Sequence, residues 1–258
     1  MVGTSRALMT AMFVVALAGC GGSTSSGAST AASPSAAVSP SASTKSSVVY
    51  AAVGASETVG IGSTNPSKDA WPTVFAGSAL PPGATYRNYG ISGETVAGAI
   101  TDEVPKALII KPTLVTVWLN VNDLNAGVSV ADYQAQLTQL VHAMRQGGTA
   151  RVLVANTPWL DRLPLYLACL SGSAQFQCPQ SVRSLTAAKI NAAVDAYNVA
   201  IAAVIKQEGA ELVDLHAQGE VPVDHPEYVG TDGFHPSTLG HAAVAGAFLS
   251  RFQQPAGG

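Results

Sequence analysis

Five short apolar runs, separated by longer segments of helical periodicity, constrain the fold more than any other feature of the sequence. The runs occupy 47–54, 84–90, 113–120, 150–157 and 210–216. The segments between them place apolar residues at the spacing of a helix face, and they occupy 69–80, 94–108, 130–148 and 184–209. Strands that alternate with helices and are apolar on both faces are typical of a parallel sheet covered on both sides. The sequence therefore predicts an α/β protein, a three-layer α/β/α sandwich with a parallel sheet of about five strands.

Residues 48–258 are predicted to form this sandwich as a single domain. The chain has 258 residues, of which 47% are hydrophobic, and this is enough material for one core. The formal net charge is −3, and no cluster of Lys or Arg is present. Such a charge pattern offers no attraction for a phosphate backbone, so we expect no nucleic-acid partner, and we expect a monomer.

The N-terminal part of the chain is predicted to lie outside the fold. Arg6 and the apolar stretch after it indicate an export signal, because the stretch is too short to span a bilayer. The sequence LAGC at 17–20 resembles the lipobox of bacterial lipoproteins, which implies a signal peptide over 1–19 and lipidation of Cys20. The alternative is an ordinary secretory signal with a chance cysteine.

The resemblance to lipoproteins also implies where the domain lies. A lipidated Cys20 would anchor the chain to the cell membrane, with the domain on the extracytoplasmic side. Residues 20–47, which are rich in Ser, Thr, Ala and Pro, cannot form a core and are predicted to be a disordered tether.

Small and polar residues follow the predicted strands, at the edge where functional residues of parallel sheets gather. Ser56 follows the first strand, Gly90 lies at the end of the second and Asn122 follows the third, and Asp232 and His235 precede the last helix. A serine becomes a good nucleophile when a histidine takes its proton and an acid fixes the tautomer of that histidine. The residue types at these places therefore suit nucleophilic catalysis.

In order and spacing, the four blocks GASETVGIG, NYGISGET, NVND and DGFHP resemble the SGNH, or GDSL, superfamily of esterases and lipases. The resemblance extends from Val48 to about Phe252. It implies a flavodoxin-like sandwich and hydrolysis of an ester through an acyl-enzyme intermediate, without a metal or organic cofactor. The implied substrate is a small-molecule, lipid or glycan ester outside the cytoplasm.

The resemblance also implies roles for individual residues. Ser56 would be the nucleophile, His235 the general base and then acid, and Asp232 the residue that orients the imidazole. The oxyanion hole would consist of the backbone N–H groups of Ser56 and Gly90 and the side-chain amide of Asn122.

Two residues depart from the family pattern. Ala55 stands where the family usually has Asp, so any hydrogen bonds from that carboxylate to the turn before Ser56 are absent. Asn120 stands where the third block usually has Gly. The alanine at residue 55 keeps one alternative open, a non-catalytic lipid- or glycan-binding lipoprotein. A second alternative is an acyltransferase in which a hydroxyl replaces water, because the fold alone cannot separate it from a hydrolase.

Other interpretations of the same residues remain open at this point. Ser56 could be only a helix cap, and Asp214 could replace Asp232 as the orienting acid. A metal site formed by Asp214, His216 and His225 is a further alternative, although its spacing matches no known ligand set.

Two cysteines remain after Cys20. In an exported chain, Cys169 and Cys178 are expected to form a disulfide. They lie in a long segment, 158–180, that follows the fourth strand and is expected to form a wall of the acyl pocket. Its large apolar residues either face that pocket or pack on the domain: Trp159, Leu163, Leu165, Tyr166, Leu167 and Phe176.

Overall fold

Five parallel strands form one sheet in a computed structural model that describes residues 47–178, 182–183, 185–219 and 221–256. The strands are β1 Val49–Gly54, β2 Thr85–Asn88, β3 Leu114–Trp118, β4 Arg151–Ala155 and β5 Glu211–Val213. Their order in the sheet is β2-β1-β3-β4-β5, and every neighbouring pair is parallel. The predicted fold is therefore confirmed. The predicted signal peptide 1–19, Cys20 and residues 21–46 of the predicted tether lie outside the described residues.

Helices connect the strands and follow the last one. They are α1 Ser56–Val59, α2 Pro66–Asp69, α3 Trp71–Ala79, α4 Val96–Asp102, α5 Val104–Ile109, α6 Val121–Asn125, α7 Val130–Arg145, α8 Pro164–Ser171, α9 Ala187–Glu208, α10 Val221–Asp224 and α11 Thr238–Gln253. Side-chain oxygens of Thr95, Ser129, Thr186 and Ser237 accept backbone N–H groups at the starts of α4, α7, α9 and α11. These caps explain why the helices begin where they do.

The core lies on both faces of the sheet. In β1, Ala51 and Val53 point to one face, where they pack with buried residues of α4, α5, α7 and α9. The alternate residues Tyr50 and Ala52 point to the other face, where they pack with residues of α3 and α11. The period-2 alternation of a strand therefore produces the three layers, because each face of the sheet is apolar.

Helix α9 is a core helix, although its length and composition alone would allow it to cross a membrane. Tyr197, Ile201 and Val204 are buried against the helices and strands of the first face. Gly209 ends the helix in the left-handed conformation with φ of 64°, as the sequence predicts.

The predicted helix over 94–108 is divided into α4 and α5. Pro105 lies in the first turn of α5, where a missing N–H costs nothing, whereas inside one continuous helix its ring would clash with the preceding turn. The break places Glu103 at the junction of the two helices, with its side chain buried.

Candidate active site

A tight turn after β1 presents Ser56 as the first residue of α1. A Cβ atom on Gly54 would overlap the Thr58 side chain, so glycine is required for α1 to fold back over the end of the strand. Ser56 itself is 6% exposed. The sequence prediction that this serine lies at the carboxyl edge of the sheet is therefore confirmed.

A second turn, before α11, holds Asp232 and His235. Val229 and Pro236 form an antiparallel bridge across its base, and Gly233 adopts φ of 73° between the two site residues. The Oδ1 atom of Asp232 accepts the N–H groups of residues 234 and 235, both at 3.0 Å. This turn is the local reason for the three-residue spacing of Asp and His.

Ser56, His235 and Asp232 meet through two hydrogen bonds. The Nδ1 atom of His235 lies 2.6 Å from Oδ2 of Asp232, and its Nε2 atom lies 2.9 Å from Oγ of Ser56. A carboxylate beside Nδ1 favours the tautomer with its proton there, which leaves Nε2 free to accept the serine proton. Burial alone would raise the pKa of Asp232, but hydrogen bonds from the His235 side chain and from two backbone N–H groups outweigh it and lower that pKa.

The rival acid, Asp214, has other partners. Its Oδ1 atom accepts the side-chain amide of Asn156 at 2.7 Å and the N–H of Ala217 at 2.9 Å. His216 contacts the carbonyl of Thr157. Within the described ranges, no group of three or more His, Cys, Asp or Glu side chains is arranged to hold a metal ion.

The loop after β2 lies beside α1. Asn88 donates its side-chain amide to the carbonyl of Thr58 at 2.6 Å, and its Oδ1 atom accepts the N–H of Gly90 at 2.9 Å. A Cβ atom on Gly90 would lie only 2.9 Å from Cγ2 of Thr58, so glycine is needed here for close packing. The Gly90 N–H can donate to an oxyanion only if its hydrogen bond to Oδ1 of Asn88 breaks or becomes bifurcated.

Asn122 lies in α6, directly after β3. Its Nδ2 atom donates one hydrogen to the carbonyl of Glu94 at 2.9 Å, which fixes the side chain and leaves a second N–H for another acceptor. Asn120 has φ of −164°, outside the left-handed region, so this position does not require a glycine to reach a positive φ.

Sequence reasoning missed two buried carboxyl groups near Ser56. Glu57, the next residue along the chain, is 9% exposed, and its Oε2 atom lies 3.3 Å from Oγ of Ser56. Burial raises the pKa of Glu57. The sequence signal was a carboxyl directly after the serine. The second carboxyl, that of Glu103, accepts the N–H of Gly54 at 2.8 Å.

A cavity of about 360 Å³ adjoins this cluster. Glu57 and His235 contribute to its lining, which is otherwise mainly apolar and includes Trp118, Leu160, Leu215 and Val244. Of the predicted wall residues, Trp159 and Leu163 also line it. The other four residues of this set do not line the cavity: Leu165, Tyr166, Leu167 and Phe176.

Those residues lie around the disulfide between Cys169 and Cys178, whose Cα atoms are 5.4 Å apart. The backbone N–H of Leu165 donates to the carbonyl of Gly233 at 3.0 Å. The ring of Phe176 lies so close to Gly233 that a Cβ atom there would be 2.6 Å from it. This segment therefore packs on the turn that carries Asp232 and His235.

Removing the disulfide is expected to destabilise the protein. By the loop-entropy relation, Cys169→Ser with Cys178→Ser should lower the free energy of unfolding by about 2.5 to 3 kcal/mol. Because the segment contacts Gly233, the ester turnover that the sequence predicts should fall by a similar factor for short and long acyl chains. Denaturant unfolding and kcat/KM for a series of acyl lengths measure both effects. A loss confined to long acyl chains would contradict the contact with the Asp232–His235 turn as the main role of this segment.

Because two carboxyl groups are buried, the stability of the protein is expected to fall as the pH rises. Burial raises the pKa of Glu103 to about 8 and that of Asp123 to about 6, from ordinary values of 4.5 and 3.8. For Glu103, Glu94 raises the pKa further, whereas Lys106 and the N–H groups of Gly54 and residue 91 lower it. Between about pH 4.5 and 8 the folded protein therefore keeps protons that the unfolded chain releases, and stability declines.

The variant Glu103→Gln cannot titrate at this position. Its unfolding temperature should fall less than that of the wild type between pH 5 and 8, with the remaining decline due to Asp123 and Glu57, whose pKa values burial also raises. Thermal unfolding at several pH values measures the slope. An equal or steeper slope in the variant would show that Glu103 is already ionised in the folded protein.

The sequence matches the model of the GDSL-like lipase/acylhydrolase family over residues 52–243. No curated protein matches it. Similar solved structures include TesA, with 22% identity, a TM-score of 0.60 and coverage of 80% of this chain and 98% of that chain. A lipase/acylhydrolase from Enterococcus faecalis has 18% identity and a TM-score of 0.59, and the match covers 79% of this chain and 94% of that chain. The psychrotrophic esterase EstA from Pseudoalteromonas sp., inhibited by monoethylphosphonate, has 16% identity and a TM-score of 0.57. The match covers 80% of this chain and 96% of that chain.

Proposed function

Because the chain belongs to the GDSL-like lipase/acylhydrolase family, we propose that it hydrolyses a carboxylic ester through an acyl-enzyme intermediate on Ser56. The observation that carries the proposal is the line of two hydrogen bonds from Asp232 through His235 to the Ser56 hydroxyl. A serine, a base within hydrogen-bond reach and an acid that orients the base are the groups that acyl transfer needs.

The reaction proceeds in two steps. In the first, Oγ of Ser56 forms a bond to the ester carbonyl carbon while its proton passes to Nε2 of His235. The carbonyl π electrons move onto oxygen, and their return expels the alcohol, which takes the proton from His235. In the second step a water molecule loses its proton to His235, attacks the acyl group in the same way and releases the carboxylic acid and Ser56.

Asp232 and the oxyanion donors act on charge that develops during these steps. The carboxylate of Asp232 stabilises the imidazolium that forms on His235. The second N–H of Asn122 and the backbone N–H groups of Ser56 and Gly90 would stabilise the oxyanion. The apolar cavity beside His235 suits the apolar part of an ester, whether a small molecule, a lipid or a glycan ester.

The N-terminal sequence supports a place of action outside the cytoplasm. If Cys20 is lipidated, the domain would be held at the membrane surface by the tether, where it would meet extracytoplasmic esters. Mass measurement of the mature protein purified from its own cells tests this part, because cleavage before Cys20 and added acyl chains change the mass.

Turnover of p-nitrophenyl acetate tests the proposed reaction. The purified protein should release nitrophenolate with an initial burst of up to one equivalent, if deacylation is slower than acylation. Added alcohols distinguish hydrolysis from acyl transfer, since a transferase would form a new ester in preference to acetate. A protein that releases no nitrophenolate at any concentration would favour the non-catalytic alternative.

Replacement of Asn122 tests the oxyanion hole. Asn122→Ala should lower kcat by about a hundred- to a thousandfold with little change in KM, because the donor acts mainly on the transition state. Asn125→Ala, on the same helix, is the matched control, since the Asn125 side chain contacts the hydroxyl of Tyr166. A change in KM alone would mean that Asn122 binds the substrate in its ground state.

A further inference from the structure

The carboxyl group of Glu103 contacts the backbone just before Ser56. Glu103 is completely buried, and its Oε2 atom accepts the N–H of Gly54 at 2.8 Å. Gly54 is the last residue of β1 and lies two residues before Ser56. The contact joins the α4–α5 junction to the end of the strand that presents the proposed nucleophile.

The same carboxyl lies near the loop of the proposed oxyanion hole. The N–H of Ile91 is close enough to Glu103 to lower the pKa of its carboxyl. Ile91 directly follows Gly90, and its N–H donates to the carbonyl of Gly54 at 2.9 Å. Glu103 therefore lies where the chain segments that carry Ser56 and Gly90 meet.

Residue 55, where the family usually has an aspartate, offers no carboxylate in this chain. Ala55 is 3% exposed and packs in the core cluster that contains Val96 and Ala99 of α4. Any hydrogen bonds from a side-chain carboxylate of residue 55 to the turn are therefore absent. A carboxyl instead reaches the turn from Glu103, 48 positions further along the chain.

We infer that Glu103 is a positioning residue that holds the turn before Ser56, in place of the aspartate that is missing at residue 55. This inference rests on the proposed function for its effect on activity. Glu103 touches neither Ser56 nor His235 in any contact that the structure records, so it would act through the backbone of Gly54 and not on the substrate.

The energetics of burial agree with this role. A buried carboxyl destabilises a protein unless its oxygens are hydrogen-bonded, and the Oε1 atom of Glu103 has no such partner among the described residues. An apolar residue at this position would avoid that cost but would leave the N–H of Gly54 without its acceptor. The benefit that offsets the burial is the fixed geometry of the strand end.

Removing the carboxyl should therefore impair catalysis more than binding. Glu103→Ala should lower kcat for a short-chain aryl ester by about a hundredfold, the scale of a displacement of about 1 Å at a reacting group, with less than a threefold change in KM. Glu103→Gln keeps an acceptor oxygen and should retain kcat within about fivefold of the wild type.

Moving the carboxyl back to residue 55 is the decisive test. In the Glu103→Ala background, Ala55→Asp should raise kcat at least tenfold. In the wild-type background, the same Ala55→Asp change should lower kcat, because it places two carboxyl groups at one buried turn. If Glu103→Ala does not fold, the same pair of measurements is made in the Glu103→Gln background, where Ala55→Asp should lower kcat less than it does in the wild type.

Two further measurements separate positioning from a general loss of stability and from failure of the proposed function. Met144→Ala removes a buried side chain near the end of α7 and serves as the stability control, which should keep kcat within threefold. Hydrogen exchange at the amide of Gly54 reports the contact without any assay of activity, and exchange should speed up in Glu103→Ala while Met144→Ala leaves it protected.

These outcomes decide the inference. A Glu103→Ala variant with unchanged kcat would overturn it. So would an Ala55→Asp change in that background that does not raise kcat. If the wild type has no esterase activity, the proposed function fails, and Gly54 amide protection that does not depend on Glu103 would then overturn the inference as well.

Discussion

Ser56→Ala is expected to lower kcat for a short-chain aryl ester by about a millionfold, the scale seen when the nucleophile of a serine hydrolase is removed. Among the described residues, the Ser56 side chain hydrogen-bonds only to His235 and Glu57. The substitution therefore removes the nucleophile and should leave the unfolding temperature within about 2 °C of the wild type.

A nearby serine provides the matched control. The hydroxyl of Ser63 donates to the carbonyl of Gly60 at 2.7 Å and not to His235. Ser63→Ala should keep kcat within threefold. A Ser56→Ala protein that turns over the ester at the wild-type rate would contradict the assignment and favour the non-catalytic lipid- or glycan-binding alternative.

Asp232→Asn is expected to lower kcat by about ten-thousandfold. The amide oxygen can still accept the N–H groups of residues 234 and 235, so the turn should persist. The amide carries no charge, however, and its NH₂ group beside Nδ1 of His235 favours the tautomer with the proton on Nε2. That tautomer cannot accept the serine proton. The hydrogen bonds that lower the pKa of Asp232 keep it ionised at neutral pH, so the variant removes the negative charge beside His235.

Asp214→Asn tests the alternative acid under the same conditions. Asp214 contacts Asn156 and the N–H of Ala217, so its replacement should change kcat by less than about threefold. The reverse ranking of the two variants would move the orienting role to Asp214.

The sequence predicts most of the fold because the relevant signals are local. Apolar runs mark the five strands, and Gly209 ends the long helix, since both effects act over a few residues. The division of α4 from α5 was missed, although Pro105 carries the signal, because the helical periodicity continues across the proline.

The candidate site is only partly predictable for the same reason. Ser56, Asp232 and His235 are found from their order along the chain and their place at strand ends. The contact of Glu103 with Gly54 joins residues 49 positions apart, and no local pattern indicates which carboxyl will reach the turn. The loss of an aspartate at residue 55 was visible in the sequence, but the source of a replacement was not.

The long segment after β4 shows a second kind of limit. Its apolar residues indicate burial but not the surface that they cover. Trp159 and Leu163 line the cavity, whereas Leu165 and Phe176 lie against Gly233. Hydrophobic burial is non-directional, so composition alone cannot separate a pocket wall from a packing contact.

Labelling with a fluorophosphonate tests the central claim most directly, namely that His235 activates Ser56 as a nucleophile. The intact protein is treated with the probe, digested and analysed by mass spectrometry. One label per chain is predicted, on the peptide that contains Ser56, with no label in Ser56→Ala and a labelling rate at least a thousandfold lower in His235→Ala. A label on another serine, or none on the folded wild type, would contradict the account.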